Sequence, residues 1–263
     1  MLQYLVILLD DTSVSYCHYD NRKSEHRLIS LENLKAGILF AMKENLMLQF
    51  VYPHYELPQA YKDEIETIDH SKIVPVEYRD EADVVVLDDW EQLSVSGCDI
   101  QKTYVLRTGK TGFFKNYTIL NEVLDKVLRL NVVLVDIDTF TESDFDIYKS
   151  VLDELALKLK GMYLEGMAPQ LNLLTDRMML DKMNNCNAGV ENITLAPDGK
   201  FYICPAFYLA DDGYSIGSLV EVLDIKNPKL YKLSYAPLCR NCDAYQCKRC
   251  IWMNWKTTLE VNT

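Results

Sequence analysis

Residues 3–9 read QYLVILL, an apolar run of strand length that ends at the acidic pair Asp10 and Asp11. A run in which successive residues are apolar presents apolar side chains to both faces of a strand, as in buried parallel sheets. The run is too short to cross a membrane, because a transmembrane helix needs about 20 apolar residues. This stretch therefore predicts a buried first strand of a parallel sheet.

Similar runs recur further along the chain and alternate with segments of helical period. The other predicted strands of this region are residues 47–52, 72–78, 83–87, 103–107 and 131–137. Helical spacing of apolar residues appears at 31–42, 59–68, 119–128 and 145–159. Ser30 stands in the N-cap position of the first helix. Strands that alternate with helices in this way predict an α/β fold with a parallel sheet or a partial barrel.

Composition and charge restrict the partners and the compartment. The 263-residue chain has a net charge of −12, which repels a phosphate backbone and argues against nucleic acid as a partner. No apolar run reaches membrane-spanning length, and the N-terminus lacks the basic leading region of a signal peptide. We therefore expect a cytoplasmic protein with no membrane partner. Its eight cysteines then favour metal binding or catalysis over disulfides.

Acidic residues follow several of the predicted strands. Ligands of parallel sheets bind at the carboxyl ends of the strands, so these side chains could bind a substrate amine or a metal. They could equally cap the following helices or solvate the rim of the sheet. The residues concerned are Asp10, Asp11, Asp88, Asp89, Asp136 and Asp138.

Six of the eight cysteines lie in two C-terminal stretches. Residues 186–204 read CNAGVENITLAPDGKFYIC, which predicts a hairpin: a strand at 191–195, turn residues at 197–200, and a return strand at 201–203 that ends on Cys204. Residues 239–250 read CRNCDAYQCKRC and contain two CxxC pairs, a spacing that lets two thiolates face one metal centre.

A metal bound in this region would be held mainly by thiolates, because residues 181–263 contain no histidine. Such a donor set suits an iron–sulfur cluster or zinc. A set of reduced thiols without metal is the remaining alternative. The predicted metal ligands are Cys186, Cys204, Cys239, Cys242, Cys247 and Cys250.

The arrangement C-x12-G-x4-C followed by C-x2-C-x4-C-x2-C resembles the SPASM domain, a cluster-binding module of radical S-adenosylmethionine enzymes that modify peptides. Two spacings are one residue shorter than in that family, and the family's final cysteine is missing. The resemblance implies 4Fe–4S clusters, with Cys186, Cys204 and Cys250 at one centre and Cys239, Cys242 and Cys247 at the other. With three thiols for each, one cluster, or clusters with an open iron, are both open alternatives.

The SPASM resemblance also implies a radical S-adenosylmethionine barrel at residues 1–168, followed by the cysteine-rich domain at residues 169–263. Enzymes of that family need CxxxCxxC after the first strand, because three thiolates leave one iron open for the cofactor. The loop here, DDTSVSYCHYDN at residues 10–21, holds only Cys17, and Cys98 is the one other cysteine before residue 186. We therefore expect a barrel-like domain that does not cleave S-adenosylmethionine on its own.

The chain as a whole resembles the CXXX repeat peptide maturase family, through YLVILLDDTSVSYCHYDN at 4–21, LKAGILFAMKENLMLQFVYP at 34–53 and the C-terminal cysteines. This resemblance implies a cysteine-repeat precursor peptide and a companion radical S-adenosylmethionine enzyme as partners. Two functions remain open. The protein takes part in the modification, with a cluster that relays electrons or an open iron that holds a substrate thiolate, or it is a non-catalytic module that recruits the peptide and holds a structural zinc or iron–sulfur site.

Overall fold

The computed structural model describes residues 2–20, 23–178, 186–210, 215–221, 223–225, 228–232, 235 and 250–258. Its strands are β1 (Tyr4–Leu8), β2 (Met47–Val51), β3 (His70–Pro75), β4 (Val84–Leu87), β5 (Thr103–Thr108), β6 (Arg129–Leu134), β7 (Gln170–Leu171), β8 (Asn192–Leu195) and β9 (Phe201–Tyr202). Its helices are α1 (Leu31–Glu44), α2 (Gln59–Ile65), α3 (Lys110–Asn116), α4 (Leu120–Val123), α5 (Glu142–Leu164), α6 (Thr175–Met178), α7 (Pro205–Leu209) and α8 (Ile251–Thr258). Over these described ranges, no helix has the length and apolar character needed to cross a membrane.

The strands form one nine-stranded sheet in the order β7-β6-β5-β4-β3-β2-β1-β8-β9. All neighbouring pairs are parallel except β8 and β9, which form an antiparallel hairpin. From β1 to β7 each new strand is added on the same side of the one before it. Because crossover connections are right-handed, such an order places the connecting helices on one face of the sheet, as in a barrel. The predicted α/β fold with a parallel sheet or partial barrel is confirmed.

Helix α1 identifies the covered face of the sheet. It begins after Ser30, whose side chain accepts a hydrogen bond from the backbone N–H of Asn33 at 3.1 Å, so the predicted N-cap is confirmed. A Cβ at Gly37 would collide with the side chain of Leu195 and lie 3.3 Å from Cδ1 of Ile7. The absence of a side chain thus lets α1 approach β1 and β8 closely. Because successive residues of a strand alternate between faces, Val6 points away from α1.

The C-terminal hairpin shares its core with the first strand. Ile193, Leu195 and Phe201 belong to the same buried cluster as Leu5 and Ile7, and all five are at most 1% exposed. Burial of each such side chain contributes about 1.5–3 kcal/mol to the stability of the folded state. Strands from both sides of the predicted domain boundary at residues 168 and 169 therefore belong to one sheet. The division of the chain into two domains at this boundary stays a prediction.

The segment predicted as one helix at 119–128 consists of three short turns. A 3₁₀ turn at Tyr117–Ile119 leads into α4, and a second one follows at Leu124–Lys126. The helical spacing of apolar residues in the sequence arises because the buried residues of these turns are spaced as on a helix. They are Leu120, Val123, Leu124 and Val127. A regular helix is interrupted here because the chain is already extended at Val127 (φ −129°, ψ 148°) and enters β6 two residues later.

Candidate functional site

Four thiols line a single cavity of about 270 Å³, called here the thiol cavity. Cys17, Cys186, Cys204 and Cys250 all border it. Val6 also lines it, together with Tyr4 of the same strand and Gln49, the partner of Val6 on β2. Paired residues on neighbouring strands point to the same face. The thiol cavity therefore lies on the face of the sheet opposite α1.

These thiols come from four places in the sequence. Cys17 lies in the loop after β1, Cys186 precedes β8, Cys204 lies two residues after the end of β9, and Cys250 directly precedes α8. Strand β8 pairs with β1 in parallel, with Asn192 opposite Tyr4. The side-chain amide of Asn192 donates to the carbonyl oxygen of Cys186 at 2.7 Å, which holds that cysteine beside the start of the strand.

The structure thus places three of the six predicted ligands, Cys186, Cys204 and Cys250, around one cavity. The other three, Cys239, Cys242 and Cys247, lie outside the described residues. Cys17, which the sequence analysis left without a role, joins the placed three. Cys98 lies elsewhere, and its thiol donates to the carbonyl oxygen of Ser94 at 3.2 Å.

Burial and mutual repulsion act on the thiols of this cavity. Burial raises the pKa of Cys204 well above the usual thiol value, and the neighbouring Cys250 and Cys186 raise it further. Burial likewise raises the pKa of Cys250, with Cys186 adding to the effect. Thiolates can therefore accumulate here only when a cation offsets their charge, as a coordinating metal does.

Arg107 of β5 holds the loop that carries Cys17. Its guanidinium donates to the carbonyl oxygen of Ser15 at 3.2 Å and to that of Cys17 at 2.6 Å. The same group forms an ion pair with Asp20 at 2.6 Å. Arg107 is 8% exposed, so these bonds are made away from solvent. An arginine inside the apolar strand TYVLRT was the sequence signal for this role, and the sequence analysis missed it.

A second, polar cavity of about 410 Å³ lies near the carboxyl ends of β1, β2, β4 and β5. Its lining includes Lys23, His54, Asp88 and Arg107. Ser15 also lines it, and its buried hydroxyl finds no hydrogen-bond partner among the described residues. This is the edge of the sheet at which parallel α/β proteins bind their ligands.

The acidic residues at the strand ends mostly hold backbone and neighbouring side chains. Asp10 is fully buried and accepts hydrogen bonds from Thr12 and from the hydroxyl of Tyr55. Asp11 accepts from Tyr208 at 2.5 Å, and burial raises its pKa. The others have similar structural contacts: Asp88 lies 3.6 Å from Arg107, Asp89 caps a 3₁₀ turn, Asp136 accepts from the backbone of Lys110, and Asp138 pairs with Lys256. These contacts correspond to the capping and rim roles, while Asp88 also lines the polar cavity.

A third cavity, of about 250 Å³, adjoins the thiols on the side of β6 and is called here the β6 cavity. Cys17, Cys186 and Cys250 border it as well as the thiol cavity, and Asn131 and Val133 of β6 line its far side. A group held by the thiols would therefore be accessible from the face of the sheet opposite α1, which is the concave face of the partial barrel.

The thiol cavity fits a metal group in its donor chemistry, since four cysteines of one cavity are the donor set of a thiolate-held metal. Across the described part of the chain, however, no three His, Cys, Asp or Glu side chains stand where they could hold one metal ion. Thiolates on a single zinc lie about 3.8 Å apart, given tetrahedral Zn–S bonds of about 2.3 Å. Thiolates on a cluster lie farther apart, because each binds a different iron.

Comparisons with known proteins establish the fold. No protein family's sequence profile matches the chain, and no curated protein matches it. The structure is similar to the crystal structure of Streptococcus suis SuiB bound to precursor peptide SuiA. The likeness has a TM-score of 0.53 at 12% sequence identity, and it covers 99% of this chain and 74% of the SuiB chain. At this identity the likeness concerns the fold, which the two chains share over nearly all of the present sequence.

Proposed function

We propose that this protein takes part in the maturation of a ribosomally synthesised peptide and holds an iron–sulfur cluster in the thiol cavity. The observation that carries this proposal is the convergence of Cys17, Cys186, Cys204 and Cys250 on one cavity of the sheet's concave face. A volume of about 270 Å³ is well beyond the roughly 15 Å³ that one water-sized group requires, which leaves room for a group of several atoms.

A peptide partner is supported by the fold comparison, because SuiB was solved with its precursor peptide bound. In the present chain the β6 cavity would receive such a peptide next to the thiols. The peptide proposed here is a cysteine-repeat precursor, and the companion proposed is a radical S-adenosylmethionine enzyme. Both follow from the resemblance of the sequence to the CXXX repeat peptide maturases.

The proposed cluster would supply electron transfer or an iron that binds a substrate thiolate. The residues of the chain would hold and shield it. Cys204 would hold it from the segment after β9, and Arg107 fixes the loop of Cys17. Cys186 and Cys250 border both cavities and would face the peptide.

A second function has its own support in the C-terminal packing. Cys250 directly precedes α8, whose Trp252 and Trp255 stack at 5.2 Å and both contact Phe207 of α7. A metal that joined Cys250 to Cys204 would fasten α8 to the hairpin. The metal would then be structural, zinc or iron–sulfur, and the protein would recruit the peptide to another enzyme without taking part in the chemistry.

Anaerobic purification followed by iron, sulfide and zinc analysis separates the two functions. We expect a brown protein that contains iron and acid-labile sulfide. A colourless protein with about one zinc per chain, obtained after cluster reconstitution had been attempted, would contradict the iron–sulfur proposal and favour the structural one. Binding of a synthetic cysteine-repeat peptide, measured on the same samples by calorimetry, tests the peptide partner separately from the metal.

A further inference from the structure

The loop after β1 carries a thiol into the cavity of the C-terminal cysteines. Cys17 is 169 residues away from Cys186 in sequence, yet both line the thiol cavity and the β6 cavity. Because β8 is parallel to β1, the loop after β1 leaves at the carboxyl end of the strands, whereas Cys186 lies at the amino end of β8. The loop therefore folds back over the face of Val6 to bring Cys17 to the cavity.

Contacts within the loop hold Cys17 in this place. Its carbonyl oxygen accepts a hydrogen bond from Arg107 at 2.6 Å. Two residues later the ring of Tyr19 is 3% exposed and packs edge-on against Tyr16, with ring centroids 5.9 Å apart. The backbone of Cys17 is therefore fixed on both sides, by a buried guanidinium and by the packed rings of Tyr16 and Tyr19. The loop is thus preorganised to present this residue to the cavity.

One other ligand-type side chain from this loop, His18, also lines the thiol cavity. It is exposed, whereas Cys17 is half-buried. Three thiolates from the C-terminal segments already define a soft donor set, and a fourth thiolate completes the Cys₄ set that iron–sulfur clusters use most often. Donor chemistry and burial both favour Cys17 as the fourth ligand.

We propose that Cys17 is the fourth ligand of a metal cluster completed by Cys186, Cys204 and Cys250. This inference rests on the metal site of the proposed function and deepens it. Four protein thiolates would leave no open iron, so the cluster would supply electron transfer rather than a binding site for a substrate thiolate. It also ties the loop of β1 to the C-terminal hairpin.

The test uses a parent protein in which Cys239→Ser, Cys242→Ser and Cys247→Ser remove the three cysteines that could hold a second cluster. We expect about four iron and four sulfide per chain after anaerobic reconstitution. Adding Cys17→Ala should lower the chelator concentration that releases half of the iron by at least about 10-fold, since loss of even an outer-shell partner costs about 10- to 100-fold in metal affinity.

Two matched variants control for this loss. Cys98→Ala removes a thiol of similar exposure that lies outside the thiol cavity, and His18→Ala changes the residue next to Cys17. Both should retain iron as the parent does. Retention of iron by Cys17→Ala, or loss of iron in His18→Ala instead, would overturn the assignment of Cys17 while leaving the proposed function in place.

A spectroscopic measurement on the chain with all eight cysteines decides the matter if the parent variant does not fold. Added 2-mercaptoethanol should produce a change in the paramagnetic spectrum of the reduced Cys17→Ala protein that it does not produce in the unmodified protein. Only the variant would have an open iron in the thiol cavity, whereas a second cluster at Cys239, Cys242 and Cys247 would respond equally in both. The opposite pattern, with a response in the unmodified protein and none specific to Cys17→Ala, contradicts the proposal. An unmodified protein that retains neither iron nor sulfide overturns both this inference and the iron–sulfur part of the proposed function.

Discussion

At the scale of single residues, the least expected feature is a buried arginine that serves the backbone of a distant loop. Arg107 is on β5, and the carbonyl oxygens and the carboxylate that it binds belong to residues 15–20. A planar guanidinium can serve three such acceptors at once, whereas a lysine ammonium cannot match the fork geometry. The arginine is therefore a positioning residue for Cys17.

Replacement of this arginine should loosen the loop. We expect Arg107→Met to lower the free energy of unfolding by about 1–3 kcal/mol, because two carbonyl oxygens in a largely buried setting lose their donor. Asp20 is half exposed and can be hydrated, which keeps the loss moderate. Urea unfolding of the metal-free protein measures this change.

The comparison for Arg107→Met is Lys62→Met. Lys62 also forms a short ion pair, with Glu56 at 2.5 Å, but both side chains are exposed. Its removal should lower the free energy of unfolding less than removal of Arg107, because solvent screens an exposed ion pair. Equal stability of the two variants would show that Arg107 does not hold the loop.

At the scale of elements, the hairpin β8–β9 lies between two of the thiols: Cys186 precedes it and Cys204 follows it. Its turn, Pro197 to Lys200, contains Gly199 at φ +78°, a left-handed conformation that glycine adopts without steric cost. The side chain of Asp198 accepts from the backbone of Lys200 at 3.1 Å and from the hydroxyl of Tyr202 at 2.8 Å. The turn therefore fixes the direction in which β9 delivers Cys204.

A side chain at Gly199 should strain this turn. A Cβ there would lie 2.7 Å from the side-chain nitrogen Nδ2 of Asn33 in α1. The positive φ at this position is also unfavourable for alanine. We expect Gly199→Ala to lower the free energy of unfolding by about 1–2 kcal/mol, as measured by urea unfolding.

Gly161→Ala is the matched control, with an expected change of opposite sign. Gly161 lies within α5, and a Cβ there would meet nothing within 4 Å. Alanine should therefore stabilise the protein by about 0.5–1 kcal/mol through helix propensity. A stabilising or neutral Gly199→Ala would contradict the role given to the turn.

At the scale of the whole molecule, the order of the strands separates two faces of one sheet. Helices cover the face of Ile7, while Val6 and its neighbours face the thiol cavity. The C-terminal segments then add their thiols on that second face. The sheet thus acts as a common support for residues that are far apart in sequence.

This arrangement predicts that the protein alone does not cleave S-adenosylmethionine. The loop after β1 offers one thiol, and no cysteine is among the described residues that line the polar cavity at the strand ends. We therefore expect no 5′-deoxyadenosine above the no-protein control when the reconstituted protein is incubated with S-adenosylmethionine and a reductant. Catalytic turnover in this assay would refute the prediction.

Much of the fold could be predicted because its signals are local. Apolar runs such as residues 3–9 and 131–137 mark strands buried on both faces, and each overlaps an observed strand. The helical period at 119–128 led to a wrong prediction of one continuous helix, because three short turns bury side chains at the same spacing as a helix does. Periodicity reports which residues are buried, and it does not report whether the backbone stays regular between them.

The sequence by itself determined the alternation of strands and helices, the hairpin between Cys186 and Cys204, and the abundance of thiols near the C-terminus. Only the tertiary structure decided that Cys17 lines one cavity with Cys186, Cys204 and Cys250 and that Arg107 holds its loop. The physical reason is the distance in sequence over which each kind of signal acts. Spacing and hydrophobic pattern describe neighbours within a turn or a strand, whereas the pairing of β8 with β1 joins residues almost 190 positions apart. That pairing is selected by the burial of a whole sheet, and no short stretch of the sequence contains it.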